Sequence, residues 1–392
     1  MQLITLRNEK GEVQEIDVRS LYTSFERISD GRKARGRRYS LAYLLTVICL
    51  AKLAGEQKPT GIAEWIRLRA TPLARLLGVA GLSAPSLNTI RRTLAAAPLA
   101  DELHKACLSF LRQTYGAEQA SLVILDGKTL RGTIPKGETQ GVHLLSAYVP
   151  DDGLVLAQEP VDGKENEIRA APRLLQRLDL RCRVVGADAL LTQRDIARQV
   201  RRQGGDYIFY VKDNQPRLLA DIRCFFNPLP ARPGWSPHVP PETTATTVEK
   251  GHGRLEQRTL TLIPDEDGFL DWPGARQVFR LQRRTITTTT GEVKEETTYG
   301  LTSLMPDSGA AQQLLQLTRS FWGIENGLHY RRDVTLREDA TRMKDTNQAA
   351  AMATLNNFII GLLGRLGFKN AASAQRRCAD GIMRALLAAN YL

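Results

Sequence analysis

Ser121–Gly127 reads S-L-V-I-L-D-G, and Arg183–Leu190 reads R-V-V-G-A-D-A-L. Each is a short apolar run with two β-branched residues that leads into an aspartate, the pattern of a buried strand whose last side chain emerges at a sheet edge. Working outward, His143–Val149 and Leu154–Pro160 read as two more strands, separated by the turn Asp151–Asp152–Gly153. Glu165–Leu178 and Thr192–Gln203 have helical spacing, the second closed by Gly204–Gly205, and Tyr207–Val211 is again strand-like. The order β-β-β-α-β-α-β predicts an α/β fold, a mixed sheet with helices on both faces. If the first and fourth strands are parallel neighbours, Asp126 and Asp188 leave the sheet at the same edge.

Residues 1–120 read as mostly helical. The helices are Ser40–Ala54 with Ser40 as cap, Gly61–Arg69, Pro85–Ala97, and Asp101–Tyr115 with its acidic first turn. Asn227–Glu242 carries six prolines and reads as a connection. Arg254–Leu262, Arg276–Ile286 and Glu295–Ser303 then alternate like strands and suggest a small β insertion. Helical patterns return after Pro306, through Gln312–Leu328 and Asn347–Leu366. The expected division is a helical N-terminal domain (1–120), a first core segment (121–226), a β-rich insertion (227–305), and final core helices with a helical tail (306–392).

Lys and Arg number 54 against 42 Asp and Glu, a net charge of +12, and more than half of that excess falls within residues 1–120. Such a balance suits a polyanionic partner, nucleic acid first and an anionic membrane surface second, although a merely basic soluble protein has it too. The apolar run Leu41–Ala51 stops at Lys52, too short to span a bilayer, and the first ten residues lack a signal-peptide layout. Five scattered cysteines without a C-x-x-C pair suit neither a zinc site nor a disulfide framework, which fits a reducing, cytoplasmic protein with no membrane partner. No phosphate-binding glycine loop and no Ser-His-Asp ordering is present.

A third carboxylate, Glu325, lies late in the Gln312–Leu328 helix, 137 residues beyond Asp188. Each acid alone has an ordinary reading: Asp126–Gly127 as a turn, Asp188 as a helix cap, Glu325 as a solvated helix residue. Together, two or three converging carboxylates can hold a pair of hard divalent cations roughly 3.5–4 Å apart, an arrangement that activates an attacking oxygen and stabilises a leaving oxygen at phosphorus.

Around these acids stand L-D-G-K-T-L-R-G (Leu125–Gly132), V-V-G-A-D-A-L (Val184–Leu190) and W-G-I-E-N-G-L-H (Trp322–His329). K-E-N-E-I (Lys164–Ile168), K-D-N-Q (Lys212–Gln215), K-G-H-G-R-L-E-Q-R (Lys250–Arg258) and D-V-T-L-R-E-D (Asp333–Asp339) follow in register, and P-S-L-N-T-I-R-R (Pro85–Arg92) lies upstream. The set resembles the bacterial insertion-sequence transposases of the DDE class, the ISAs-type group that includes the H-repeat-associated proteins, over about residues 25–365. The resemblance implies an RNase H-like core with a β-rich insertion before the third acid. It implies Asp126, Asp188 and Glu325 as catalytic metal ligands for two Mg²⁺ or Mn²⁺ ions, and cleavage and strand transfer at the ends of the element's own DNA. A homodimer or larger assembly on terminal and target DNA, in a bacterial nucleoid, goes with that activity. Two departures stand out: Phe321 where the group tends to have His, and Asp213 where Gly is usual.

Residues expected to meet DNA follow from charge and position. Lys128 and Arg131 trail Asp126 and read as holding a scissile or flanking phosphate, with Lys164, Lys212 and Asn214 as further candidates. Glu325, His329, Arg332 and Asp333 share a face on an ideal α-helix. On that face Arg332 reads either as a bidentate phosphate clamp or as an internal ion pair, and His329 as a functional or a structural histidine. Trp322 reads as a stacking platform or a core tryptophan. Arg254, with a stripe of Arg276, Arg280, Arg283 and Arg284, suits backbone contact or a solvated strand surface. Arg91 and Arg92 lie in the Pro85–Ala97 segment, which has helix-turn-helix character. Rival activities are a non-catalytic, domesticated DNA-binding protein and an RNase H-like structure-specific nuclease.

Overall fold

The chain opens with two strands, ahead of the helices read from Ser40 onward. Leu3–Arg7 (β1) and Val13–Asp17 (β2) form an antiparallel hairpin with Leu3 opposite Asp17. Alternation in L-I-T-L turns Ile4 and Leu6 inward, where both are buried. The computed structural model describes all residues except 1, 36, 80–82, 97, 98, 118–120, 163, 164, 228–240, 252, 308 and 390–392. Past the hairpin the N-terminal region is helical: α1 (Val18–Glu26), α2 (Leu41–Leu53), α3 (Pro59–Leu68), α4 (Ala70–Leu76), α5 (Leu87–Leu94) and α6 (Leu99–Tyr115). Ser40 caps α2 by accepting from the Tyr43 amide, and Ser86 caps α5 by accepting from that of Thr89. Every residue of α2 is buried, Lys52 included, so this helix is an inner strut rather than an amphipathic surface helix.

The central segment contains β3 (Leu122–Thr129), β4 (His143–Val149), β5 (Leu154–Val161), β6 (Val184–Ala187) and β7 (Asp206–Val211), with α7 (Glu167–Gln176), α8 (Arg194–Arg202) and α9 (Pro216–Phe226) between and after them. β3 and β6 run parallel, as do β6 and β7, while β4 and β5 are antiparallel additions. Leu125 is the register partner of Ala187. The next residues on these neighbouring strands, Asp126 and Asp188, therefore leave the sheet at one level.

Thr243–Gly251 (β8), Arg254–Pro264 (β9), Gln277–Thr287 (β10) and Val293–Thr302 (β11) complete one nine-stranded sheet in the order β5-β4-β3-β6-β7-β11-β10-β9-β8. The β-rich insertion expected as a small separate unit is thus continuous with the central sheet. Antiparallel pairing of Tyr299–Thr302 with Ile208–Val211 makes the join. Only the end of β11 pairs with β7; the rest stays with β10 and projects past Val211, so a twisted ribbon stands beyond the edge where Asp126 and Asp188 emerge. Most of the proline-rich connection, residues 228–240, lies outside the described residues.

α10 (Ala310–Phe321) leads into π-helical turns at Glu325–His329 and Arg331–Thr335, then a tight turn at Glu338–Thr341, α11 (Thr346–Arg365) and α12 (Ala371–Ala388). One sheet face packs Val123, Leu125 and Leu145 against α7, α8 and α9. The other packs Leu122, Ile124, Leu144 and Tyr148 into a core shared by the N-terminal helices with α10, α11 and α12. The 1–120 and 306–392 regions, distant in sequence, share this second core. α12 lies on β1: Arg377 donates to the Arg7 carbonyl at 3.1 Å, and the Gly381 backbone packs closely against Thr5. No helix among the described residues is long and apolar enough to cross a membrane.

Candidate active site

Asp126 shares its side of β3 with Leu122 and Ile124, so its carboxylate faces the elements that follow α10. There the chain tightens against the sheet at Gly327, where a Cβ would stand 2.4 Å from the Tyr148 hydroxyl. Only glycine lets the π-helical segment lie that close. Ligand atoms of Asp126, Glu325 and His329 fall within 4.8 Å of one another, with His329 Nδ1 3.5 Å from Asp126 Oδ2. Asp188 lines the same cavity of about 470 Å³ as Asp126 and Glu325. One of its oxygens also accepts from the Leu190 and Leu191 amides at 3.0 and 3.1 Å. It is therefore a cavity acid and a turn-capping residue at once.

The electrostatics follow from crowding. Burial first, then the charges of Glu167, Glu325 and Asp188, push the Asp126 carboxyl up to about 7. His329 is buried and is pushed down to about 3 by that burial, reinforced by Arg332 and Lys128, so its imidazole is neutral. Its Nε2 is enclosed without a hydrogen-bond partner.

Glu167, in the first turn of α7, was not singled out by the sequence reading. Its Oε1 is 2.8 Å from His143 Nε2, and His143 Nδ1 is 2.7 Å from the Thr129 hydroxyl. A Cβ on Gly127 would fall 2.1 Å from Glu167 Oε1 and 2.6 Å from His143 Nε2. Gly127 is thus the notch that admits this pair beside Asp126, not the turn its sequence suggested. K-E-N-E-I already contained Glu167; what was lacking was the packing of α7 under β3.

The other expected residues divide. Lys212 and Trp322 line the cavity, and Trp322 is 55% exposed, so it is no core tryptophan. Arg258 and Arg283, register partners on β9 and β10, line it from the ribbon, paired with Glu256 and Glu296 respectively. Asn214 donates to the Ala189 carbonyl at 2.7 Å and so fixes the turn after Asp188. Arg131, Arg91 and Arg92 are exposed. Arg254 is exposed at the far tip of the ribbon and does not line the cavity. Lys164 lies outside the described residues.

Two expectations are corrected. Lys128 is buried, its Nζ 2.6 Å from Asp333, so it ties the strand of the first acid to the segment of the third instead of meeting phosphate. Arg332 is wholly buried and paired with Glu338 at 2.9 Å, which leaves it no access to a phosphate. The cause is local geometry: π-helical turns rotate the residues beyond Glu325 relative to an α-helix, so Glu325 and His329 stay beside Asp126 while Arg332 turns inward.

The donor set suits a divalent cation. Carboxylate oxygens of Asp126 and Glu325 converge with an imidazole whose Nε2 has no partner, and a bound cation would relieve the carboxylate crowding around Asp126. Residues 117–362 match the family model described as "Transposase DDE domain", and residues 22–111 match the one described as "DDE_Tnp_1-associated". The chain is 30% identical over 286 residues to "H repeat-associated putative transposase YhhI" of Escherichia coli (strain K12), across 71% of this chain and 73% of that protein. It is 28% identical over 355 residues to "Putative protein YbfL" of the same strain, across 89% and 91%. "Putative transposase YncI" of Escherichia coli O157:H7 is 27% identical over 359 residues, across 89% and 88%. By these matches, the chain belongs to the DDE transposase family.

Proposed function

We propose that this chain is a DNA transposase with an RNase H-like core, which binds the ends of its own insertion sequence and joins them to target DNA. The observation that carries this reading is the meeting of Asp126 and Glu325 within 4.8 Å in a cavity that Asp188 also lines, one parallel strand away. These three acids would hold paired Mg²⁺ or Mn²⁺. The chemistry such ions supply when bound is activation of an attacking oxygen and stabilisation of the leaving oxygen. The rest falls to the chain itself. His329, neutral and within 3.5 Å of Asp126, orients that carboxylate. Lys212 brings positive charge to a cavity otherwise repellent to phosphate, Arg258 and Arg283 stand beside it in ion pairs that a phosphate would compete for, and Trp322 offers an exposed ring to an unstacked base. Water attacks the phosphodiester at the element end and releases a 3′-hydroxyl, which then attacks the target strand. Both steps are in-line displacements, so one site serves twice. Two ends meet one target, so the active form on DNA is at least a dimer.

The test is cleavage and joining on DNA carrying the element ends, with Mg²⁺, for Asp126→Ala, Asp188→Ala and Glu325→Ala. Each variant is expected to lose both reactions while binding the ends within a few-fold of the parent. Cutting by all three at the parental rate would refute the assignment. Cleavage by the parent without strand joining would reduce the activity to that of a nuclease.

A further inference from the structure

Arg332 stands seven residues past Glu325, yet none of its surface reaches solvent. Its Nε donates to Glu338 Oε2 at 2.9 Å. The other Glu338 oxygen accepts from Asn356 of α11 at 2.7 Å. Glu338 and Asn356 are both buried. The Glu338 charge also bears on Lys52, the buried lysine of α2, whose ammonium donates to Gln57 at 3.0 Å and whose carbonyl accepts from Gln375 of α12 at 3.0 Å. One buried carboxylate thus links the third-acid segment to the C-terminal and N-terminal helices.

The turn that carries Glu338 is held under strain. Arg337 and Arg342, on either side of Glu338–Thr341, have φ of 49° and 46°, in the left-handed region that favours glycine. Such backbone persists only where surrounding contacts over-determine it. A buried ion pair contributes little net stability against apolar residues of similar size, but it penalises any arrangement that separates the two charges. Toward β3 and the turn after it, Asp333 is fixed to Lys128 at 2.6 Å and Asp339 to the Arg131 amide at 3.0 Å. The segment is therefore pinned from both sides, and its rotation is set by which residues are pinned.

We propose that Arg332 is a positioning residue and not a phosphate ligand: its buried pair with Glu338, steadied by Asn356, fixes the rotation of the π-helical segment so that Glu325 and His329 face Asp126. This deepens the transposase reading and rests on it.

The experiment compares the full chain with Arg332→Lys and, as a milder change, Asn356→Ala. Two quantities are measured: Mn²⁺ affinity without DNA, read from the paramagnetic resonance of free ion, and affinity for end DNA across a salt series. Removing an outer partner of a metal site typically costs about 10–100-fold in metal affinity. A loss of that order is expected for Arg332→Lys and a smaller one for Asn356→Ala, each with the parental salt slope. A lost phosphate contact would instead flatten the slope by about 0.9 while leaving Mn²⁺ affinity intact, and that result overturns the proposal. A parallel loss of Mn²⁺ and DNA affinity in both variants overturns it too, because that is general destabilisation. If the parent binds Mn²⁺ no better than Asp126→Ala, the transposase reading fails, and amide exchange at 325–335 decides the positioning role alone. Faster exchange in both variants upholds it, and unchanged exchange removes it.

Discussion

Asp126→Asn should make the metal-free protein more stable at pH 8 while abolishing its chemistry. The parent carboxyl is raised from 3.8 to about 7 by burial and by Glu167, Glu325 and Asp188. Each tenfold change is worth about 1.36 kcal/mol, so the full displacement corresponds to roughly 4 kcal/mol. The side chain is 29% exposed, and solvent screening reduces this to ~2 kcal/mol. The sign is fixed by proton linkage: the folded state holds this proton more tightly than the unfolded one. The penalty is absent below the unfolded value, grows as pH rises, and is complete above about 7. Asparagine carries no such penalty. Urea unfolding at pH 8 without divalent ions should therefore show the variant ahead by ~2 kcal/mol, or about 2–3 °C in Tm for a chain of this length. At pH 4 the two should nearly coincide. Added Mg²⁺ should raise the parent and leave the variant where it was. A variant less stable than the parent at pH 8 would refute the reasoning, because Asp126 would then be a stabilising residue and not a strained one.

Gly127→Ala should destabilise by about 1–3 kcal/mol in the same unfolding assay, since the new methyl meets the Glu167 carboxylate and His143. A neutral result would show that α7 gives way freely. Lys128→Met should cost about 1–2 kcal/mol through the stranded Asp333 and leave the salt slope of DNA binding unchanged. A slope flatter by about one counterion would return Lys128 to the list of phosphate contacts. Trp322→Ala, at an exposed ring, should change stability by less than about 0.5 kcal/mol. The same variant should weaken single-stranded end DNA by about 1–3 kcal/mol in a binding titration, and unaltered binding would remove the stacking role.

The strands that carry Asp126 and Asp188 were legible because short apolar runs ending on aspartate leave few alternatives, and the parallel register then carries both acids to one level. The cap at Ser40 was equally plain, since a hydroxyl before an apolar turn has a local purpose, whereas the Pro85–Ala97 reading ran the helix through Ser86, which proves to be its cap. Arg332 was misplaced for a definite reason: an α-helical wheel puts it with Glu325, and nothing local in R-R-D-V-T announces π-helical turns. The hairpin β1–β2 went unread because its strands are five residues each and β2 fully buries only Ile16. β8 was missed beside the proline-rich stretch, and α9 was passed over although Leu218, Leu219, Ile222, Phe225 and Phe226 form an apolar stripe after Pro216. The continuity of β8–β11 with the central sheet depends on pairing across some 90 residues between β7 and β11, and no local pattern encodes that.

The placement of α12 over β1 has a bearing on biosynthesis. β1 (Leu3–Arg7) is covered by α12 (Ala371–Ala388), which is synthesised more than 350 residues later, with Ile4 and Leu6 sealed by the stretch around Gly381. Until that stretch emerges, the nascent hairpin has an uncovered oily side, and any element bound early is bound by a partly open shell. A chain that lacks α12 would therefore be prone to clumping and degradation, because nothing else closes over that side of the hairpin.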